Sequence, residues 1–205
     1  MNRVRLCYDA LWSGVGLHGL LLVAYRRFLA DRFGESLADE VFAKHQRIQA
    51  RQVYPDPILF ELIEGGVART RKPAEQLLRE FGAHALQTFY ELHPTYFPPE
   101  GARRFLMQLE ETVHSRVREM MPGAAPPQLK VKDLGAGRLR ISYRSQRNLC
   151  PLLAGLLDGT GTHYQTPVRH IEETCMRRGD AECSFLVEVQ QTLLPRGTRK
   201  TLPPR

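Results

Sequence analysis

No apolar run in the chain approaches the roughly 20 residues needed to cross a bilayer; the longest, Leu20 to Tyr25, is far shorter. The N-terminus, MNRVRLCYDALWSGVGLHG, starts basic, but Asp9 interrupts its apolar part and no small-residue cleavage site follows, so it reads as a mature start. H-E-x-x-H, a nucleophile elbow and a glycine-rich phosphate loop are all missing, which argues against an enzyme. Zinc-finger, RNA-recognition and basic-repeat signatures are missing too, so no nucleic-acid partner is expected. Cysteine is scarce, with four residues and no export signal. That combination places the protein in a reducing compartment, the cytoplasm.

With 205 residues, 42% hydrophobic and 25% charged, the chain suits one domain with a core of its own. Its net charge is +7, and Arg196, Arg199, Lys200 and Arg205 supply four of those charges beyond Glu188, the last acidic residue. The excess therefore sits mostly in a flexible tail over 191–205.

Helical periodicity governs the first 121 residues. Helices are expected over Gly19–Phe33, stopped by Gly34, from Ser36 toward His45, over Pro57–Val67, from Lys72-Pro73 through Leu92, and over Ala102–Met121. The period then changes. Strands are expected over Leu129–Asp133, Arg138–Arg147, Val168–Met176 and Glu182–Val189, with a helix inserted over Cys150–Gly159. Helices followed by an antiparallel four-stranded sheet make an α+β fold. The division is a leader over 1–16 and a domain over 17–190, its helical part 17–121 and its sheet part 127–190.

Three groups of residues carry chemistry. In YRSQR, strand alternation sends Tyr143, Ser145 and Arg147 to one face about 7 Å apart, a row of donors ending in a fork that suits a carboxylate; a solvated strand face is the plain alternative. On the long helix, His114 borders an apolar stripe of Leu106, Leu109, Val113, Val117 and Met120, projecting about 100° from its centre. It is either a surface histidine at a packing edge or an axial ligand to haem iron. Cys150, Cys175 and Cys183, with His170, could form a Cys3His zinc site or remain free buried thiols.

Residues YFPPEGARRFLMQLEETVHSRVREMMPGAAPPQLKVKDLGAGRLRISYRSQR resemble the haem-nitric oxide/oxygen binding (H-NOX) family, with proximal histidine, Gly-Ala-x-Pro-Pro-like segment and Y-x-S-x-R strand in order. LHGLLLVAYRRFLADRFG and LREFGAHALQTFYELHPTYF extend the likeness to about 17–190. The resemblance implies haem b held between helices and sheet, His114 on its iron, Tyr143, Ser145 and Arg147 on its propionates, and Pro127 distorting the macrocycle. It places Leu21, Tyr25, Ala85, Phe89 and Leu152 on the distal wall. Oxygen-binding relatives carry a tyrosine where Leu152 stands, so the resemblance implies a sensor of nitric oxide, also taking CO, with O2 disfavoured. No output segment is present, so the signal would pass to a separate partner such as a histidine kinase or a cyclic-dinucleotide enzyme. Some relatives also hold zinc near the C-terminal strands, and Glu172 stands where their pattern has histidine. HIEETCMRRGDAECSFLVEV is similar as well to V4R-type domains, which implies the alternative of a porphyrin-like or other hydrophobic ligand without an axial histidine.

Overall fold

The computed structural model describes residues 16–190; most of the leader, the basic tail and Cys7 lie outside them. Strand β1 (Leu17–His18) leads into α1 (Gly19–Phe33), where the His18 Nδ1 accepts from the Leu20 N–H at 3.1 Å as a cap. Gly34, at φ 95°, ends that helix where the sequence expects it. Then come α2 (Glu35–Val41), β2 (Val53–Tyr54), α3 (Asp56–Thr70) and α4 (Ala74–Leu92), the last opened by Pro73. The two-residue β1–β2 ribbon was too short for any period to reveal.

The helix expected over Ala102–Met121 is not continuous. It consists of α5 (Ala102–Leu109), a π turn (Glu110–His114) and α6 (Ser115–Met120). Both the N–H and the hydroxyl of Ser115 converge on the Glu110 carbonyl, five residues back, and the hydroxyl lies 3.0 Å from it. A π turn holds one extra residue, which rotates everything after it by about 100°. Met120, placed in the apolar stripe by uniform periodicity, is consequently 74% exposed. His114, placed at the border of that stripe, is half-buried.

Strands β3 (Gln128–Gly135), β4 (Arg138–Arg144), β5 (Val168–Thr174) and β6 (Cys183–Val189) form an antiparallel sheet in the order β3-β4-β6-β5. Strand β4 stops at Arg144, three residues before the expected end. The chain turns there, with the Asn148 N–H donating to the Ser145 carbonyl at 3.2 Å, and β6 offers no partner beyond Cys183, which pairs with Tyr143. Helix α7 (Cys150–His163) runs a turn further than expected. Val168–Met176 likewise ends as a strand at Thr174, and a 3-10 turn follows.

The described residues form two cores. The helical one gathers Leu22, Tyr25, Phe28, Leu59, Leu62, Phe81 and Ala85. The sheet core gathers Leu129, Leu139, Ile141, Tyr143, Phe185 and Val187 with Phe105 and Leu106. Leu156 of α7 packs against both. Helices α4 and α7 join the halves by a close backbone crossing: a Cβ on Gly82 would sit 2.2 Å from the Leu152 carbonyl oxygen, and one on Gly155 2.0 Å from that of Arg79. Only glycine permits that approach.

Candidate functional site

The π turn delivers His114 at its last residue, with the side chain 16% exposed. Its Nδ1 lies 3.2 Å from Glu110 Oε2. That carboxylate is heavily engaged: Oε2 also accepts from the Leu129 N–H at 3.1 Å, while Oε1 accepts from Arg118, which reaches Ser115 Oγ as well at 3.1 Å. Burial pushes the Glu110 carboxyl up, but bonds from Arg118, Leu129 and His114 outweigh it and hold the group below its usual range. Burial pulls the His114 imidazole down more than Glu110 raises it. A neutral ring beside an ionised carboxylate puts its single proton on Nδ1, which leaves the Nε2 lone pair to coordinate a metal.

Tyr143, Ser145 and Arg147 are brought together, though by a strand end and a turn rather than by strand alternation. The Tyr143 hydroxyl accepts from the Leu149 N–H at 3.2 Å, and burial pushes its pKa up to about 12. Ser145 Oγ accepts from the Arg147 N–H at 3.2 Å. The Arg147 guanidinium, 9% exposed, donates to Asp56 Oδ1 through Nε at 2.8 Å and to the Ala125 carbonyl through Nη1 at 2.5 Å. Ala125 lies in the Gly-Ala-x-Pro-Pro-like segment, just before Pro126-Pro127; Asp56, at the start of α3, is not marked out by the sequence. Nothing local marks Asp56 except its place as a first-turn acid. The Gly-Ala-Ala-Pro-Pro loop is tied in turn to the entry of α1, since Gly16 donates to Gly123 at 2.7 Å and accepts from Ala125 at 2.8 Å. Pro127 is half-buried beside this junction.

Leu21, Tyr25, Ala85, Phe89 and Leu152 all belong to the helical core or pack on it. Tyr25 is fully buried, 5.0 Å from Phe81 between ring centroids, and its hydroxyl has no hydrogen-bond partner. Burial raises its pKa strongly. Gly66 of α3 makes room for that hydroxyl, because a Cβ there would lie 2.1 Å from it.

The cysteines form a second centre. Ligand atoms of Cys150, Cys175, Cys183 and Glu172 lie within 4.8 Å of one another, with the Cys150 and Cys175 sulfurs 3.5 Å apart. Burial raises the Cys150 and Cys183 thiol pKa values, and Glu172 Oε1 is buried without a hydrogen-bond partner. His170 is not in this group. Its Nε2 lies 2.8 Å from Asp158 Oδ1, and Asp158 accepts from Arg79 at 2.7 Å. A cavity of about 200 Å³, lined by Arg79, Cys150, His170 and Glu172 among others, opens between the two arrangements.

Fold and site together define a two-part domain, with an imidazole on a helix and an arginine fork in the turn that follows a strand. The Haem-NO-binding family model matches residues 18–172, and the chain belongs to that family, whose members are haem-binding gas sensors. No curated protein matches it significantly. Among solved structures it is similar to an H-NOX protein from S. oneidensis in the Fe(II)NO state, at 21% identity and TM-score 0.78, covering 85% of this chain and 100% of that one. An oxygen-binding H-NOX domain related to soluble guanylate cyclases, in its oxygen complex, also has 21% identity and TM-score 0.78, over 89% and 100%. An unliganded Fe(II) H-NOX mutant from K. algicida reaches 0.73 at 21% identity, over 86% and 98%. The same fold is thus seen with NO in one of these relatives and with O2 in another.

Proposed function

We propose that the protein is a haem-based nitric oxide sensor in which His114 is the axial ligand. Haem b supplies a ferrous iron that takes a diatomic gas. The observation that carries the reading is the half-buried, neutral His114, with Nδ1 occupied by Glu110 and Nε2 available. Arg147, with Tyr143 and Ser145, would hold the propionates, exchanging or sharing its bonds to Asp56 and Ala125. Pro127, half-buried beside that junction, would bear on the macrocycle.

Preference for NO over O2 rests on the distal wall. Leu152 offers no hydrogen bond, and the Tyr25 hydroxyl is lodged against Gly66, so bound O2 would lack the donor it needs, whereas NO needs little such help. Release of His114 from the iron would free α5–α6 and shift the helical half against the sheet. Without catalysis of its own, the protein would pass this change to a separate signalling protein, such as a histidine kinase or a cyclic-dinucleotide enzyme. Cys150, Cys175 and Cys183, which form no disulfide among the described residues, fit a cytoplasmic setting.

The second centre suits zinc, with Cys150, Cys175, Cys183 and Glu172 as ligands. Three sulfurs and one carboxylate oxygen are a donor set that zinc accepts, and the unpartnered Glu172 Oε1 supports it.

The test is the anaerobic optical spectrum of the ferrous protein alone and with NO, CO and O2, beside His114→Ala. The expected result is a histidine-ligated haem that takes NO and CO, ignores O2, and loses that ligation in the variant. A haem indifferent to His114 would overturn the reading.

A further inference from the structure

We infer that Glu110 is the positioning residue that sets how strongly His114 binds iron; the inference rests on the haem reading above. Glu110 precedes His114 by four residues, and the π turn between them carries its carboxylate to the Nδ1 side of the ring, 3.2 Å away. A histidine whose far nitrogen donates to a carboxylate is fixed in orientation, and its coordinating nitrogen becomes a stronger base. The Glu110 side chain is itself pinned at three points: Arg118 on Oε1, and the Leu129 N–H sharing Oε2 with His114. It cannot follow the ring freely.

The same contacts limit its strength. Arg118 and the Leu129 N–H each withdraw charge from the carboxylate, so His114 receives part of its pull rather than all of it. Glu110 therefore gives His114 an intermediate donor strength, and Arg118 adjusts it. A stronger Nε2 donor would resist displacement from an iron that takes NO. Glu110 thereby sets the threshold at which His114 lets go, and through Leu129 it ties that event to the first residues of β3.

The experiment is resonance Raman spectroscopy of the iron–histidine stretch in the haem-loaded ferrous full-length protein, comparing wild type, Glu110→Gln and Arg118→Ala. Glu110→Gln should lower the stretch, release histidine more readily with NO, and lose haem about 10-fold faster. Arg118→Ala should raise the stretch, because it removes a competitor for the carboxylate. Opposite shifts from two neighbouring substitutions are not what a purely structural role produces. An unchanged stretch in a haem-retaining Glu110→Gln would overturn the inference. Where Glu110→Gln retains no haem, Arg118→Ala decides alone: an upward shift supports the inference and no shift overturns it. A wild type without an iron–histidine band, or with one that persists in His114→Ala, would remove the haem reading itself and this inference with it.

Discussion

Two histidines in this molecule keep nearly the same company and do different work. His114 and His170 are both largely buried, with side chains 16% and 7% exposed, and each meets a carboxylate that an arginine also holds. At His114 the carboxylate takes Nδ1, and all three partners come from one stretch of helix, Glu110 to Arg118. At His170 the carboxylate takes Nε2, and the partners come from three elements, Arg79 on α4, Asp158 on α7 and His170 on β5. A local triad orients one ring and leaves its outward nitrogen available. A triad assembled across the fold uses the histidine as a clamp between helices and sheet.

Substitution at the two rings should separate them most widely. His114→Ala abolishes histidine ligation of haem in the optical spectrum, while His170→Ala keeps it and instead lowers the midpoint of chemical denaturation. The proposed zinc centre should give the next largest contrast: Glu172→Ala should weaken zinc binding about 10–100-fold by competition with a chelator, and His170→Ala should leave it within a few-fold. Equal losses in both would return His170 to the ligand set. Arg147→Ala should release haem faster than Arg144→Ala, whose side chain is exposed at the end of β4. In the haem-free protein it should also cost about 2 kcal/mol, measured by denaturant melts, because Asp56 loses its partner.

The smallest effect concerns Asp158. Burial raises its carboxyl, but Arg79 and His170 outweigh that, and its pKa in the folded state lies below the ordinary value of 3.8. A depressed carboxyl contributes stability that is present above the unfolded-state value and is lost as pH falls through the folded one. Asp158→Asn should therefore cost about 1 kcal/mol at pH 7, a figure discounted for partial exposure, and the gap to wild type should narrow in acid melts as pH falls below 3.8 and through the depressed folded-state value.

What the sequence reveals follows the same division between local and assembled. Gly34 after an apolar period and Pro73 before one mark the end of α1 and the start of α4 directly. Alternation along β4 and β6 shows which residues face the sheet core. The π turn is silent, because it depends on Ser115 winning the Glu110 carbonyl, which no periodicity records. Arg147 could be read as a carboxylate binder, but its partner Asp56 lies 91 residues away and only the tertiary fold unites them. His170 and Glu172 share a face of β5, so alternation alone favours neither as a zinc ligand. Two residues along a strand is about 7 Å, and that step puts His170 beside Asp158 and leaves Glu172 with the sulfurs.

The π turn also has the form of a single inserted residue. Deleting one position between Glu111 and Val113 would let the hydrogen bonds return to the ordinary i to i−4 ladder and fuse α5 and α6 into one straight rod. Met120 would then swing from solvent onto the apolar stripe, and the segment would gain helical regularity. The imidazole, however, would no longer sit four residues from Glu110, and the frame that aims it would be gone. The irregular turn is therefore where helical stability has been exchanged for the aim of one side chain.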